Sequence, residues 1–181
     1  MRSGEIRRIL KECRKGCNFS SDNKLGNLLY LNQSERRVVE KMELREVYEK
    51  MMTNITNIAL ATSVDGVPNV RIICFGYESS TPNKLYFTTY PGKPKVEEFA
   101  KNSKVSFILL PEAKEYAEVR GLGTVKPTEK PLEEIGGLIA KKFPPFEQML
   151  ASAKDIMLAY EIEFSEVKIT EGLTEPKTLV L

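Results

Sequence analysis

The sequence predicts a mainly β, α+β domain in which five or six short strands roll into a closed or split antiparallel barrel flanked by helices. Three observations predict it. Short runs of β-branched and aromatic residues recur at close spacing between residues 58 and 170. Two of these runs are joined by Asp65-Gly66, a two-residue hairpin signal. Alternating strand–helix units are missing, and so are a Gly-rich dinucleotide fingerprint after a strand and a P-loop.

The elements follow in order. Residues 5–16 carry an amphipathic stripe of Ile6, Ile9, Leu10 and Cys13 and predict a helix, followed by a polar loop over 16–26. A second helix is predicted from Ser34, as N-cap, to about Met52. The period then changes. Residues 58–64 and 67–75 read as a hairpin, and 84–89 as a third strand. A short helix over 95–101 leads to strands at 105–110 and 117–125, the latter with Gly121 and Gly123 placed for a bend or a close backbone approach. Residues 131–153 read as two helical pieces broken at Pro144-Pro145, and 156–170 as one last strand before an extended tail. Residues 1–40 are expected to be an N-terminal helical extension and 41–181 the barrel domain.

Composition excludes several chemistries. The 181-residue chain has no histidine and no tryptophan. A His-based triad, His-ligated haem and most catalytic zinc sites are excluded on that ground. Three cysteines, Cys13, Cys17 and Cys74, with no secretory signal argue against a disulfide framework. Residues 1–24 carry seven Lys/Arg against three acids, while the whole chain is only +2. Acids interrupt these basic residues and no aromatic residues interleave with them, so a solvated helix face is expected and nucleic acid is not. No apolar run reaches bilayer length, so no membrane partner and a cytoplasmic location are expected.

One stretch carries candidate chemistry. Arg71 lies in the second strand, Thr88 and Thr89 end the third, and Lys93 and Lys95 open the next helix. A helix N-terminus, a guanidinium fork and hydroxyl donors together suit an anion. If the second and third strands pair, Arg71 reaches the same point as Thr88, Thr89 and Lys95. On residue types alone, phosphate binding stays open beside ordinary solvated lysines and strand threonines.

Residues 58–71, reading IALATSVDGVPNVR, resemble the opening of the pyridoxamine 5′-phosphate oxidase-like FMN-binding split barrels. Residues 84–90 (KLYFTTY) resemble their third strand. Lys93-Pro94-Lys95 and residues 102–106 (NSKVS) resemble the phosphate turn, helix and following strand, and residues 119–125 (VRGLGTV) the strand that closes the pattern. The resemblance implies a six-stranded antiparallel split barrel that binds FMN. It implies that Arg71 and Lys95 hold the phosphate, with Lys93 assisting. Thr88 and Thr89 come near the ribityl chain and phosphate, and Ile72, Ile73 and Cys74 line the flavin. Glu118 falls where the oxidases have a polar residue near the ring, typically Gln, and a carboxylate there is a departure. The resemblance also implies a homodimer with FMN between the two barrels.

The same resemblance separates cofactor from reaction. The true pyridoxamine phosphate oxidases have a C-terminal substrate segment with Arg, His and Trp, which is absent here. Nitroimidazole-reducing and haem-degrading relatives rely on histidine. A flavin-dependent oxidoreductase on an unidentified small molecule is expected. A flavin-binding electron carrier and a non-catalytic interaction module are the alternatives.

Overall fold

A computed structural model describes residues 32–109 and 117–181. The predicted helix over 5–16, the loop after it and Cys13 and Cys17 lie outside the described residues. The chain divides into two compact units, Met1–Glu43 and Leu44–Leu181.

Helix α1 runs from Gln33 to Asn54. Its first turn is closed by Asn32, two residues before the expected cap. The Asn32 Oδ1 accepts from the backbone N–H of Ser34 and of Glu35, each at 3.0 Å. The Glu35 carboxylate accepts in return from the Asn32 N–H at 2.9 Å. This reciprocal pair is a capping box with Asn in the first position. Beyond Glu43, the helix buries Leu44, Tyr48, Met51 and Met52 at helical spacing.

Among the described residues of the second unit eight strands follow, interrupted by three α-helices. They are β1 (Asn57–Val64), β2 (Val67–Cys74), β3 (Lys84–Thr89), helix α2 (Pro94–Lys101), β4 (Lys104–Leu109), β5 (Ala117–Pro127), helices α3 (Leu132–Ala140) and α4 (Phe146–Ala153), β6 (Leu158–Glu163), β7 (Glu166–Glu171) and β8 (Lys177–Val180). The β1–β2 turn has Asp65 and Gly66 at φ of 53° and 79°, the two positive values a primed hairpin turn requires. The expected single strand over 156–170 is two strands. Val167 and Ile169 of β7 turn inward on odd positions, whereas Tyr160 and Ile162 of β6 do so on even ones.

All described strand pairs are antiparallel, in the order β2-β1-β4-β5-β6-β3, with β7 pairing β5 and β8 pairing β7. The six-stranded path curls back on itself. Its ends are joined by one bridge, in which Gly76 N–H donates to the Tyr86 carbonyl at 2.7 Å and Tyr86 N–H donates back at 3.0 Å. The fold is therefore a six-stranded antiparallel split barrel, open between β2 and β3 except at that bridge.

Two packed clusters result. The barrel interior holds Ile58, Leu60, Phe75, Phe87, Phe107, Leu109 and Ile162 around the inner face of α1, all essentially solvent-free. Gly121 belongs to this packing, because a Cβ there would lie 2.5 Å from the Phe107 ring. Strand β5 also changes partner at this point, pairing β7 up to Gly121 and β6 from Thr124. A smaller cluster lies outside the barrel, where Ile135 and Ile139 of α3 and Phe146 pack on Tyr86 and Cys74.

Candidate functional site

The split between β2 and β3 creates the site. A strand points successive side chains to opposite faces. In β2, Arg71 lies opposite Leu60 of β1 and Ile73 opposite Ile58, on the barrel's inner side, whereas Ile72 points outward and is 65 % exposed. In β3, Phe87 is fully buried inside and Thr88 is half-buried. Strand β3 then ends in Tyr90-Pro91-Gly92. Gly92 takes φ of 73°, the left-handed value that only a glycine adopts freely at a turn after proline. This turn delivers Lys93 to the N-cap of α2 and Pro94 to its first turn, where a missing N–H costs nothing.

A cavity of about 210 Å³ opens over the split. Seven of the nine sequence-predicted residues line it: Ile72, Ile73, Cys74, Thr88, Thr89, Lys93 and Lys95. Its lining is of two kinds. Thr88, Thr89, Lys93 and Lys95 bring two hydroxyls and two ammonium groups, and Phe146, Met149 and Met157 are apolar. Sequence reading missed those three and Tyr90. Apolar residues in a helix read as core, and only the fold shows that α4 turns some of its apolar side chains toward β2.

The electrostatics are concentrated at the N-terminus of α2. Burial pushes the Lys95 ammonium below the ordinary lysine range, and the nearby Arg71 and Lys93 charges add to the shift. Three cations crowded at a helix N-terminus make a site whose favourable occupant is an anion.

Arg71 is close enough to repel Lys95 but does not line the cavity. Strands β2 and β3 meet only at the Gly76–Tyr86 bridge, so the pairing that would carry Arg71 to Thr88 is absent. Its guanidinium turns toward α2 instead. Nη1 donates to Thr62 Oγ1 at 2.8 Å, and Nη2 to Glu98 Oε2 at 2.5 Å. Glu98 also accepts from Thr62 Oγ1 at 2.6 Å and from Asn69 Nδ2 at 2.8 Å. Burial alone would raise the Glu98 carboxyl, but the donors Thr62, Asn69 and Arg71 outweigh it and hold it below the usual carboxylate range.

Glu118 stands apart from the cavity. It lies on β5 opposite Thr170 of β7 and pairs with the Arg120 guanidinium. Cys74 is half-buried, and its thiol donates to Asn57 Oδ1 at 3.2 Å. Burial raises the thiol above its ordinary value, and Lys142 only partly opposes this, so Cys74 is a protonated wall residue at neutral pH. Among the described residues no cluster of carboxylates, thiols or imidazoles could hold a metal ion. No described helix is long and apolar enough to cross a membrane.

Solved structures share this fold. A pyridoxinephosphate oxidase-family protein from Clostridium acetobutylicum, related to general stress protein 26, is 15 % identical with a TM-score of 0.56, covering 78 % of this chain and 94 % of that one. A NimC/NimA family protein from the same organism is 20 % identical with a TM-score of 0.55, over 78 % and 94 %. A heme binding protein from Mycobacterium smegmatis is 17 % identical with a TM-score of 0.53, over 74 % and 57 %. At these identities the likeness concerns the fold. No curated protein sequence matches the chain. The family model described as pyridoxamine 5′-phosphate oxidase-like matches residues 51–176, which include the whole split barrel and the cavity above it. The chain therefore belongs to the pyridoxamine 5′-phosphate oxidase-like family.

Proposed function

We propose that this protein binds FMN in the cavity over the β2–β3 split and acts as a flavin-dependent oxidoreductase on a small molecule. The observation that carries the reading is the mixed lining of that cavity. Thr88, Thr89, Lys93 and Lys95 line it together with Ile72, Phe146, Met149 and Met157. A phosphate joined to a flat, largely apolar ring matches both kinds of lining, and flavin is a common ligand of the family. Bound FMN would supply the redox chemistry, and the protein would supply orientation and charge. Pyridoxamine phosphate oxidation is not proposed, because the chain has neither His nor Trp for the substrate segment of those oxidases.

The reading includes a homodimer. A cavity of about 210 Å³ is smaller than the roughly 300–1,000 Å³ typical of ligand pockets, which supports a second surface over the rest of the ligand. The outer sheet face beside it is apolar toward β2. Val70, Ala61, Ser106 and Leu122 form one row across four neighbouring strands, and Ile72, Ala59 and Ile108 form the next, which ends at the exposed Arg120 of β5. Val70 and Ile72 are each 65 % exposed and Leu122 77 %, which is consistent with a surface that a second copy covers.

Haem is a second reading, favoured by the heme-binding neighbour and by Cys74, Met149 and Met157 in the wall. The raised Cys74 thiol and the cationic groups of the cavity speak for FMN. The absorption spectrum of the purified full chain, as isolated and after titration with FMN and with haem, decides between them. Flavin bands with saturable FMN uptake support the proposal. A Soret band, or no uptake of either, overturns it. Reduction by a nicotinamide donor followed by turnover of a test acceptor then separates an enzyme from an electron carrier.

A further inference from the structure

Among the described residues Glu98 is the acid that acts on Lys95 beside the Arg71 and Lys93 charges, and no residue-type reasoning points to it. It lies one turn after Lys95 on the same face of α2. Its side chain is only 16 % exposed. Three donors from two different strands converge on it: Thr62 of β1, and Asn69 and Arg71 of β2. Thr62 closes the ring, because its hydroxyl oxygen also accepts from Arg71 Nη1 while its proton goes to Glu98. Each of these groups is thus fixed by at least one other. A side chain with this many partners is built in place, not merely solvated near a cation.

The network holds Arg71 in one orientation without exhausting it. A guanidinium carries five N–H donors in a rigid fork. Among the described residues two of them are engaged, one on each terminal nitrogen. Three remain for another acceptor, on a plane the network has set. A guanidinium without these partners would rotate through many states and lose entropy on binding.

We propose that Glu98 is a positioning residue, which with Thr62 orients the Arg71 guanidinium toward a phosphate monoester held at Lys93 and Lys95. The proposal rests on the FMN reading for the identity of the ligand, but its central claim is that Glu98 assists anion binding. The opposite sign is physically available, because a carboxylate next to the site also competes with the phosphate for Arg71. The two roles predict opposite results for the same substitution.

The test titrates FMN and riboflavin, which lacks the phosphate, into the wild type and into Glu98→Ala and Glu98→Gln. Melting temperature is followed in inorganic phosphate in parallel. If Glu98 positions Arg71, Glu98→Ala weakens FMN at least tenfold and leaves riboflavin within twofold. Glu98→Gln, whose amide oxygen still accepts a hydrogen bond, recovers most of the loss. FMN affinity unchanged or raised in Glu98→Ala overturns the proposal and makes Glu98 a competitor. Equal loss for both flavins overturns it too, because the residue then only supports the fold. A wild type that takes up no flavin sinks the FMN reading alone. The phosphate arm still decides on Glu98, with a larger stabilisation of wild type than of Glu98→Ala expected and an equal or smaller one overturning the proposal.

Discussion

The Lys142 ammonium lies 3.3 Å above the centroid of the Phe75 ring and donates to the Met52 carbonyl in the last turn of α1 at 3.1 Å. Both contacts favour the charged form. Burial opposes them and wins, lowering Lys142 to about 7. A lysine with a depressed folded-state value binds fewer protons folded than unfolded between that value and the ordinary lysine range. Stability from this group therefore rises with pH above about 7, and its penalty is present in full below. The slope is at most about 1.4 kcal/mol per pH unit for one proton. Urea unfolding of the wild type and Lys142→Met at pH 6.5, 8 and 9.5 measures it. The wild type should gain on the variant steadily as pH rises, and a constant difference would falsify the assignment.

Gly121 tests the barrel interior. A methyl group there would meet the Phe107 ring at 2.5 Å, and overpacking of this kind costs about 1–3 kcal/mol. Gly121→Ala should lower the unfolding midpoint accordingly. Phe107→Leu in the same chain should recover part of the loss, measured as a coupling in a double-mutant cycle. Additive effects would mean that the strand moves instead of the ring.

Arg71 has a prediction of its own within the FMN reading. Arg71→Ala should weaken FMN by about 1.5–3 kcal/mol, the range of a charge-assisted contact. It should also destabilise the ligand-free protein, because Glu98 keeps its buried place with one donor fewer. Isothermal titration and thermal melts check the two effects separately. Unchanged FMN affinity would place the phosphate elsewhere.

The outer sheet face makes a prediction about assembly. Leu122→Glu puts a charge at the end of the apolar row, where a paired surface would have to desolvate it. Sedimentation should find the wild type dimeric and the variant shifted to monomer with its melting transition retained. A wild type that sediments as a monomer removes the dimer from the proposed function.

Local chemistry carried much of this fold into the sequence. Asp65-Gly66 marks the hairpin, Pro144-Pro145 separates α3 from α4, and Pro91-Gly92 marks the turn into α2. The misses also have local causes. Asn32 with Glu35 forms the capping box, but Ser34 with its hydroxyl is as good a cap on composition alone. The β6–β7 break has no Gly or Pro. Its signal is the change of inward parity between Ile162 and Val167, which a search for alternation alone passes over. The site was legible where residues are near in sequence, from Thr88 to Lys95. The Thr62–Arg71–Glu98 network was not, because its members are nine and 27 positions apart. An acid on a short helix reads as solvated until the sheet is assembled.

The two hydrophobic clusters divide labour in a way that bears on how such a protein changes. Phe146 and Met149 belong to a segment inserted between β5 and β6, whose Ile135, Ile139 and Phe146 pack on Tyr86 and Cys74 of the barrel. Lys93 and Lys95 belong to α2 and the turn into it. Met149 is outside that cluster and 41 % exposed, so within the FMN reading substitutions there can reshape what the cavity admits at little cost to the packing of the strands. On the FMN reading, anchoring and selection would be encoded in separate stretches of chain, so that one could drift while the other stays fixed.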